Sequence, residues 1–329
     1  EGGILRNSDM ERFMERYAPT LKDLAPRDVV ARAMANEVRE GRGAGPNKDY
    51  VYLDLTHLEP SHIDAKLPDI TEFARTYLGV EPYTEPVPVF PTAHYGMGGI
   101  PTNIRGEVLA NATDVIPGLY AAGETACVSV HGGNRLGTNS LLDINVFGRR
   151  AGIAAAEHAA TVDMPELPEG LELPTVELLE RLRDRPATED RIADIRSALQ
   201  ETMDANVQVF RTDETCRKAL ADIKELKKRY ETVAIQDKGR RYNLDLMEAV
   251  ELGFLLDLAE IVALGALNRK ESRGGHFRED YEARDDANYL EHTMAYRTLP
   301  GEEGAEGTSI RLGTKPVVIT RYEPKERTF

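Results

Sequence analysis

The chain has 329 residues and a formal net charge of −15, because 56 aspartates and glutamates outnumber 41 lysines and arginines. A nucleic-acid-binding protein needs a basic face to displace counterions from phosphates, so this charge balance excludes a general nucleic-acid binder. The most apolar helical stretch, residues 252–267, contains Asp257 and Glu260. It is too short and too charged for a membrane span, which needs roughly twenty apolar residues. Composition and length therefore indicate a folded protein of two or three domains.

The cysteine content and the first residues of the chain indicate its redox compartment and its position in a longer protein. Two cysteines in so long a chain cannot form a disulfide framework, which favours a reducing compartment. The first residues, Glu1, Gly2 and Gly3, contain neither an initiator methionine nor a signal-peptide pattern. We therefore expect Glu1 to be an internal position of a longer protein, and part of any functional site to precede it.

The first predicted unit, residues 1–84, is a small α+β unit. Apolar side chains at helical spacing, among them Val30, Met34 and Val38, predict a helix over residues 23–41. Alternating residues 50–55 predict a strand, and a second helix is expected over residues 69–78.

Glycine becomes frequent in the second unit, residues 85–161. A proline-punctuated strand over residues 85–91 is followed by an apolar strand over residues 116–124. A glycine-rich loop then leads to a helix predicted over residues 138–160. A strand, a glycine loop and a helix N-terminus together are typical of a cofactor site in an α/β domain.

The rest of the chain is predicted to be a linker, a helical bundle and a terminal hairpin. Three prolines among acidic residues indicate a linker over residues 162–174. Three periodic helices then form an antiparallel bundle, with Thr188 and Thr212 as N-caps of the first two and the third over residues 244–267. Two strand-like runs, residues 292–299 and 309–320, predict a β-hairpin.

A carboxylate and a helix N-terminus form the first candidate site. Glu124 ends the apolar strand, where it can accept hydrogen bonds from sugar or ribityl hydroxyl groups. Ser140 and Leu141 lie where the next helix begins, and the free N–H groups and positive dipole end there favour an electron-rich ligand. A purely structural strand–turn–helix is the alternative. The phosphate-binding pattern G-x-G-x-x-G is absent, so we expect any pyrophosphate loop to precede Glu1.

Two further side chains lie in glycine-dense loops. His94 is followed by backbone that can approach a ligand closely, although a lone histidine is more often structural. Arg135 lies between glycines just before the helix, which suits a bidentate grip on a carboxylate. An ordinary solvated arginine is the alternative.

These residues lie in three motifs that resemble the flavoprotein subunit of succinate dehydrogenase and fumarate reductase. The motifs are HYGMGG at 94–99, GLYAAGE at 118–124 and HGGNRLGTNSLLD at 131–143. The resemblance continues in APRDVVAR at 25–32, ESRGGH at 271–276 and RDD at 284–286. It covers essentially the whole chain, with the motifs in the family's order.

The resemblance implies a multidomain α+β and α/β fold with four parts. Residues 1–84 correspond to part of a capping domain, and residues 85–161 to the C-terminal part of a Rossmann-like FAD-binding domain. Residues 162–270 correspond to a helical bundle domain, which the periodicity predicts as a three-helix bundle. Residues 271–329 correspond to a small C-terminal domain with the β-hairpin. The N-terminal part of the FAD-binding domain, with the ADP-binding loop, has no match in this chain.

The resemblance also implies roles for individual residues. FAD contacts carry over to Glu124, Ser140 and Leu141, and a carboxylate of the substrate would be held by His94 and Arg135. The family's catalytic arginine, which handles the substrate proton, matches Arg27. His131 is expected to be structural, and a position beside the flavin is the alternative. No metal site is expected, because in this family the iron–sulfur clusters belong to another subunit.

The activity implied is oxidation of succinate to fumarate, with FAD as hydride acceptor, in the tricarboxylic acid cycle and electron transport. Electrons would pass to an iron–sulfur subunit and to quinone, with membrane anchor subunits holding the complex. The protein would then be peripheral on the cytoplasmic side of a bacterial inner membrane. Fumarate reductase and L-aspartate oxidase are alternatives. SLLD at 140–143 and the long tail after residues 284–286 argue against the oxidase, whereas the sequence sets the direction, succinate oxidation or fumarate reduction, only weakly. A truncated partner-binding module is the non-enzymatic alternative.

Overall fold

The computed structural model describes residues 1–186, 188–299 and 301–325. The chain divides into two compact units. The first unit comprises Glu1–His94 and the C-terminal residues from Thr320, and the second comprises Tyr95–Ile319. Among the described helices, none is long and apolar enough to cross a lipid bilayer.

A three-stranded antiparallel sheet lies in the first unit. Its strands are β1 (Ile4–Arg6), β2 (Val51–Asp54) and β3 (Val87–Val89), in the order β1-β2-β3. The strands predicted over residues 50–55 and 85–91 are confirmed as β2 and β3. Strand β1 was not predicted, because three residues are too few to show a period.

Four short helices belong to the same unit as this sheet, and one of them carries Arg27. The helices are α1 (Met14–Tyr17), α2 (Arg27–Arg39), α3 (Pro60–Lys66) and α4 (Pro68–Phe73), and α4 continues as a π-helical turn over Ala74–Leu78. Helix α2 begins four residues later than predicted, after Pro26, whose fixed φ and missing N–H suit a helix start. The core beneath these elements includes Phe13, Met14, Ala33, Met34 and Val51.

A buried carboxylate holds helix α2 in place. Glu37 is fully buried and accepts hydrogen bonds from the guanidinium groups of Arg42 and Arg16, from the Tyr17 hydroxyl and from the Asn7 amide. Burial alone would raise the pKa of Glu37, but these donors lower it to about 2. A charge buried in this way is stable only while its partners remain, so the network fixes the helix that carries Arg27.

The second unit begins with two strand pairs and a long helix. Strands β4 (Ile100–Pro101) and β7 (Ala126–Cys127) are parallel, and strands β5 (Glu107–Leu109) and β6 (Val115–Tyr120) are antiparallel. Helix α5 (Asn139–Ala159) follows the glycine loop. The predicted strand and helix are therefore confirmed, with the strand ending four residues earlier than expected.

The helical bundle contains a fourth helix, so the predicted three-helix bundle is wrong in its number of helices. Helices α7 (Ile192–Val207), α8 (Asp213–Thr232) and α9 (Leu244–Asn268) match the prediction, and α6 (Leu173–Asp184) precedes them. Leu182 of α6 is fully buried in the core that α7, α8 and α9 share. The pattern of α6 was weak because Leu173 and Val176 are exposed, which leaves few core positions in the helix.

The predicted N-caps had different outcomes. Thr212 caps α8 in a reciprocal arrangement, in which its hydroxyl accepts from the backbone N–H of Thr215 at 3.1 Å. Thr188 does not cap a helix, because α7 begins only after Arg191 and the Thr188 hydroxyl donates to the Asp190 carbonyl. Spacing alone did not distinguish an N-cap from a nearby turn.

The chain continues with a short helix and the predicted hairpin. Helix α10 (Asp286–Tyr289) precedes β8 (Glu291–Arg297), which pairs antiparallel with β9 (Ile310–Pro316). Met294 lies opposite Gly313 at the middle of the pair. Both strands are shorter than the sequence suggested.

Replacing Leu182 with alanine is expected to destabilise the bundle by about 2–5 kcal/mol, the usual range for a buried leucine. Urea unfolding followed by circular dichroism measures this loss. Leu173→Ala is the matched control, because Leu173 begins the same helix and is 52% exposed. Equal effects of the two substitutions would show that α6 does not depend on packing into the bundle.

Candidate functional site

Two glycine-rich loops of the second unit make direct backbone contact. The N–H of Gly275 donates to the carbonyl oxygen of Gly133 at 2.7 Å. A Cβ on Gly274 would lie 2.4 Å from that same oxygen, and a Cβ on Gly133 would lie 2.7 Å from the carbonyl oxygen of Arg273. Gly274 also has a φ of +62°, a conformation that favours glycine. The loop that carries Arg135 is therefore positioned by backbone packed on backbone.

Arg135 makes three contacts within the second unit. Its guanidinium carbon lies 4.7 Å from the centre of the Tyr95 ring, and its Nη1 donates to the Leu136 carbonyl at 3.2 Å. Its backbone N–H lies 3.1 Å from the sulfur of Met97. Its Nε is buried and has no hydrogen-bond partner among the described residues. A buried guanidinium donor without a partner is costly, so this atom fits an anionic ligand such as a carboxylate.

His131 belongs to a polar cluster that includes Tyr95, the residue on which Arg135 stacks. Its Nε2 lies 3.1 Å from Oδ2 of the buried Asp143, and the Tyr95 hydroxyl lies 3.2 Å from the same nitrogen. The Asn139 amide lies 3.2 Å from Nδ1, so as oriented it donates to that atom and leaves the proton on Nε2. These bonds fit the structural role expected for His131. Tyr95 and Asp143 belong to two separate sequence motifs, and their pairing could not be predicted from the sequence.

Glu124 and the start of helix α5 supply the other candidate ligand-binding groups of this unit. Oε1 of Glu124 accepts from the N–H of Gly96 at 2.9 Å, and the side chain of Glu124 is exposed. Ser140 and Leu141 lie in the first turn of α5. Thr138, which precedes the helix with a φ of +66°, makes no side-chain capping bond. The first turn is therefore without a side-chain cap, which suits the electron-rich edge of a flavin.

The structure thus groups four of the six predicted site residues in one unit. Residues 95–97 contact both Glu124 and Arg135, and the loop that carries Arg135 leads into the turn with Ser140 and Leu141. Arg27 and His94 belong to the other unit and are described separately. The roles of all six residues remain predictions.

Arg27 is the first residue of helix α2 and is exposed. Within the described part of the chain, its side chain has no recorded ion pair or hydrogen bond. A cation at a helix N-terminus faces the positive end of the helix dipole, which is unfavourable for stability. His94 is also exposed and is the last residue of its run in the first unit. Both side chains are therefore accessible to a ligand.

The segment after α9 ties the Gly274–Gly275 turn to the bundle. Glu271 is fully buried and accepts from the guanidinium groups of Arg269 and Arg273. Arg278 is also fully buried and donates to the Ala266 and Leu267 carbonyls at the end of α9. These bonds satisfy the helix terminus and fix the turn that contacts Gly133.

His276 makes the stability of this segment depend on pH. Arg211 donates to its Nδ1 at 2.7 Å, and its Nε2 lies 3.0 Å from the Arg269 carbonyl. Burial, with the nearby charge of Arg211, lowers the pKa of His276 to about 4. The ring is therefore neutral at pH 7.

Acidification is expected to destabilise this region as the pH falls from about 6.5 toward 4. The unfolded histidine binds its proton near pH 6.5 and the folded one only near pH 4, so protonation favours unfolding by up to about 3 kcal/mol. Urea unfolding at pH 7.5 and pH 4.5 measures this loss. His276→Gln, which keeps a donor and an acceptor but does not titrate, should lose less stability than the wild type. Equal losses would contradict the assignment.

No group of three or more His, Cys, Asp or Glu side chains in the described ranges is arranged to hold a metal ion. The groups that could contact a ligand at this site include the Arg135 guanidinium, the Glu124 carboxylate and the N-terminus of helix α5. These groups suit a dicarboxylate and a flavin.

Two family models match the chain. The FAD binding domain matches residues 1–141, and the Fumarate reductase flavoprotein C-term matches residues 196–329. The chain is therefore of the flavoprotein class, which confirms FAD as the predicted cofactor.

Individual relatives are similar along the whole chain. The succinate dehydrogenase flavoprotein subunit of Rickettsia bellii is 46% identical over 335 residues, which cover 100% of this chain and 56% of that protein. The mitochondrial succinate dehydrogenase [ubiquinone] flavoprotein subunit of Oryza sativa is 46% identical, covering 100% of this chain and 52% of its own length. A mutant E. coli quinol fumarate reductase structure has a TM-score of 0.88 and 38% identity, covering 99% of this chain and 56% of that one.

The chain belongs to the family of succinate dehydrogenase and fumarate reductase flavoprotein subunits. This confirms the resemblance that the motifs indicated. The chain spans about half the length of the curated relatives that it matches.

Proposed function

We propose that the protein oxidises succinate to fumarate as part of an FAD-dependent flavoprotein subunit. The observation that carries this proposal is Arg135, whose buried Nε has no partner among the described residues and whose guanidinium is stacked on Tyr95. Such a fixed arginine is suited to binding one carboxylate of a dicarboxylate. The succinate dehydrogenase names of the relatives support the same substrate.

Each predicted residue has a defined task in this reaction. FAD, when bound, supplies the acceptor for the hydride that leaves one methylene carbon. Arg135 and His94 hold a substrate carboxylate. Arg27 handles the proton that leaves the neighbouring carbon: because a guanidinium is ordinarily protonated, Arg27 must first pass its own proton to a carboxylate relay and then takes the substrate proton in its place. Glu124 accepts hydrogen bonds from hydroxyl groups of the cofactor, and the α5 turn at Ser140 and Leu141 stabilises negative charge on its ring system. One hydride and one proton leave succinate, and the carbon–carbon double bond of fumarate remains.

The proposal extends to organisation and partners. The four parts are a capping-domain portion (1–84), a Rossmann-like FAD-binding portion (85–161), a helical bundle (162–270) and a C-terminal domain (271–329). Electrons pass from the flavoprotein to an iron–sulfur subunit and quinone, and anchor subunits hold the complex on the cytoplasmic side of a bacterial inner membrane. The names of the relatives and the quinol fumarate reductase structure support these partners.

The test is the spectrum and redox chemistry of the complete purified protein. We expect a flavin absorbance that is bleached by succinate in the absence of oxygen, and turnover with an artificial electron acceptor. Bleaching by L-aspartate instead would indicate the oxidase alternative. Fumarate reduction much faster than succinate oxidation would indicate a fumarate reductase. A folded, colourless protein without turnover would contradict an enzymatic role.

A further inference from the structure

Tyr95 lies between the candidate substrate arginine and a buried carboxylate. One face of its ring is 4.7 Å from the guanidinium carbon of Arg135. The same ring forms a T-shaped pair with the His131 ring, with centroids 5.2 Å apart and planes at 86°. The ring therefore contacts both the arginine and the histidine cluster.

The hydroxyl of Tyr95 donates a hydrogen bond to Asp143, which lies near the start of helix α5. The acceptor is Oδ2 of Asp143 at 3.4 Å, and the same carboxylate oxygen lies 3.1 Å from Nε2 of His131. The side chain of Asp143 is 3% exposed, so its charge depends on these two donors. Burial raises the pKa of Tyr95, and the charge of Asp143 adds to the effect, so the hydroxyl remains a donor.

Arg135 needs such a support because its other contacts leave its direction open. Among the described residues, Nη1 has a hydrogen bond only to the carbonyl of the next residue, and a flexible arginine loses considerable conformational entropy when it is fixed. The face of an aromatic ring attracts a stacked guanidinium cation and restricts the orientation of the guanidinium plane. This stacking does not use the N–H donors of the guanidinium. Stacking on Tyr95 therefore leaves those donors for a ligand.

We propose that Tyr95 is a positioning residue that orients Arg135 for a dicarboxylate, and that Asp143 and His131 hold Tyr95 in place. The inference rests on the proposed function and adds a determinant of substrate affinity to that site. Because Tyr95 acts through Arg135, its loss weakens dicarboxylate binding more than it slows the chemical step.

The experiment compares variants of the complete FAD-loaded protein. Tyr95→Leu removes the aromatic face and should raise KM for succinate about tenfold, with kcat changed less than about threefold. Tyr95→Phe keeps the face and should restore most of the affinity. Tyr296→Leu is the matched control, because Tyr296 carries a comparable stack with Arg311 at 4.5 Å on the hairpin and should leave both constants unchanged. A Tyr95→Leu protein with the wild-type KM would overturn the proposal.

A binding measurement separates positioning from general damage. Malonate has a single methylene carbon and cannot form the double bond, so its effect on the flavin spectrum reports affinity without turnover. In an Arg135→Gln background, Tyr95→Leu should weaken malonate binding by less than about twofold, because the residue it supports is already gone. A full additional loss would show that Tyr95 acts independently of Arg135 and would refute the inference.

Two further outcomes keep the inference and the proposed function distinguishable. If the wild-type protein neither oxidises succinate nor binds malonate, the proposed function fails. If the wild type does both and Tyr95→Leu behaves identically, only the inference fails. Should Tyr95→Leu lose its FAD, Asp143→Asn provides the second variant, with an expected rise in KM of about threefold. An unchanged KM in a folded Asp143→Asn protein would contradict the support role.

Discussion

Replacing Arg27 with glutamine is expected to abolish turnover between succinate and fumarate while the protein keeps its FAD and its fold. Proton transfer by a positioned group is worth about 10²–10⁴ in rate, and glutamine cannot accept the proton. Arg27 is exposed at the positive end of helix α2, so removing its charge should not reduce the stability of that helix. Steady-state kinetics and the flavin-to-protein absorbance ratio provide the measurement.

The control for this substitution lies on the same helix. Arg39→Gln removes an exposed arginine from the last turn of α2 and should leave kcat within about twofold of the wild type. Near-normal activity of Arg27→Gln would refute the role assigned to Arg27. Loss of FAD from Arg27→Gln alone would assign Arg27 to cofactor binding.

Replacing Arg135 with alanine is expected to lower kcat/KM for succinate by about 30-fold to 900-fold. This range corresponds to about 2–4 kcal/mol, the loss expected when a desolvated, charge-assisted pair is removed. The Gly133 to Gly275 backbone contact does not involve the arginine side chain, so the loop should keep its place. Arg135→Lys should recover little of the lost kcat/KM, because an ammonium group cannot donate the two parallel hydrogen bonds that a planar guanidinium makes with a carboxylate.

Arg311→Ala is the matched control for Arg135. Arg311 also stacks on a tyrosine, Tyr296 of the hairpin, but the proposal gives it no substrate. We expect its loss to change kcat/KM by less than about twofold. If Arg135→Ala behaved like Arg311→Ala, Arg135 would not belong to the substrate site.

Much of the secondary structure could be predicted because its signals are local. The apolar period of α8 and its Thr212 cap placed that helix correctly, and alternating residues placed β2. Helix α6 was missed because two of its apolar residues face solvent and prolines flank it. Thr188 was wrongly taken as a cap because several polar residues precede α7 and only the backbone shows where the helix begins.

The candidate site was predictable only in part. Arg135 was noticed because glycines surround it, which is a feature of the sequence itself. The stacking of Tyr95 on Arg135 and its bond to Asp143 join residues that are far apart in the chain, and no periodicity encodes such contacts. The same holds for Gly133 and Gly275, whose contact depends on where α9 ends.

That contact between glycines has a consequence for synthesis of the protein. Gly133 leaves the ribosome well before Gly275, and the whole helical bundle is made in between. Domains generally fold in the order in which they emerge from the ribosome. The Arg135 loop therefore emerges before the turn at Gly275, with which it makes its backbone contact, has been synthesised. The loop can reach its final place only after α9 and the turn that follows it have been translated. Cofactor loading that depends on this loop is then a late event in the maturation of the subunit.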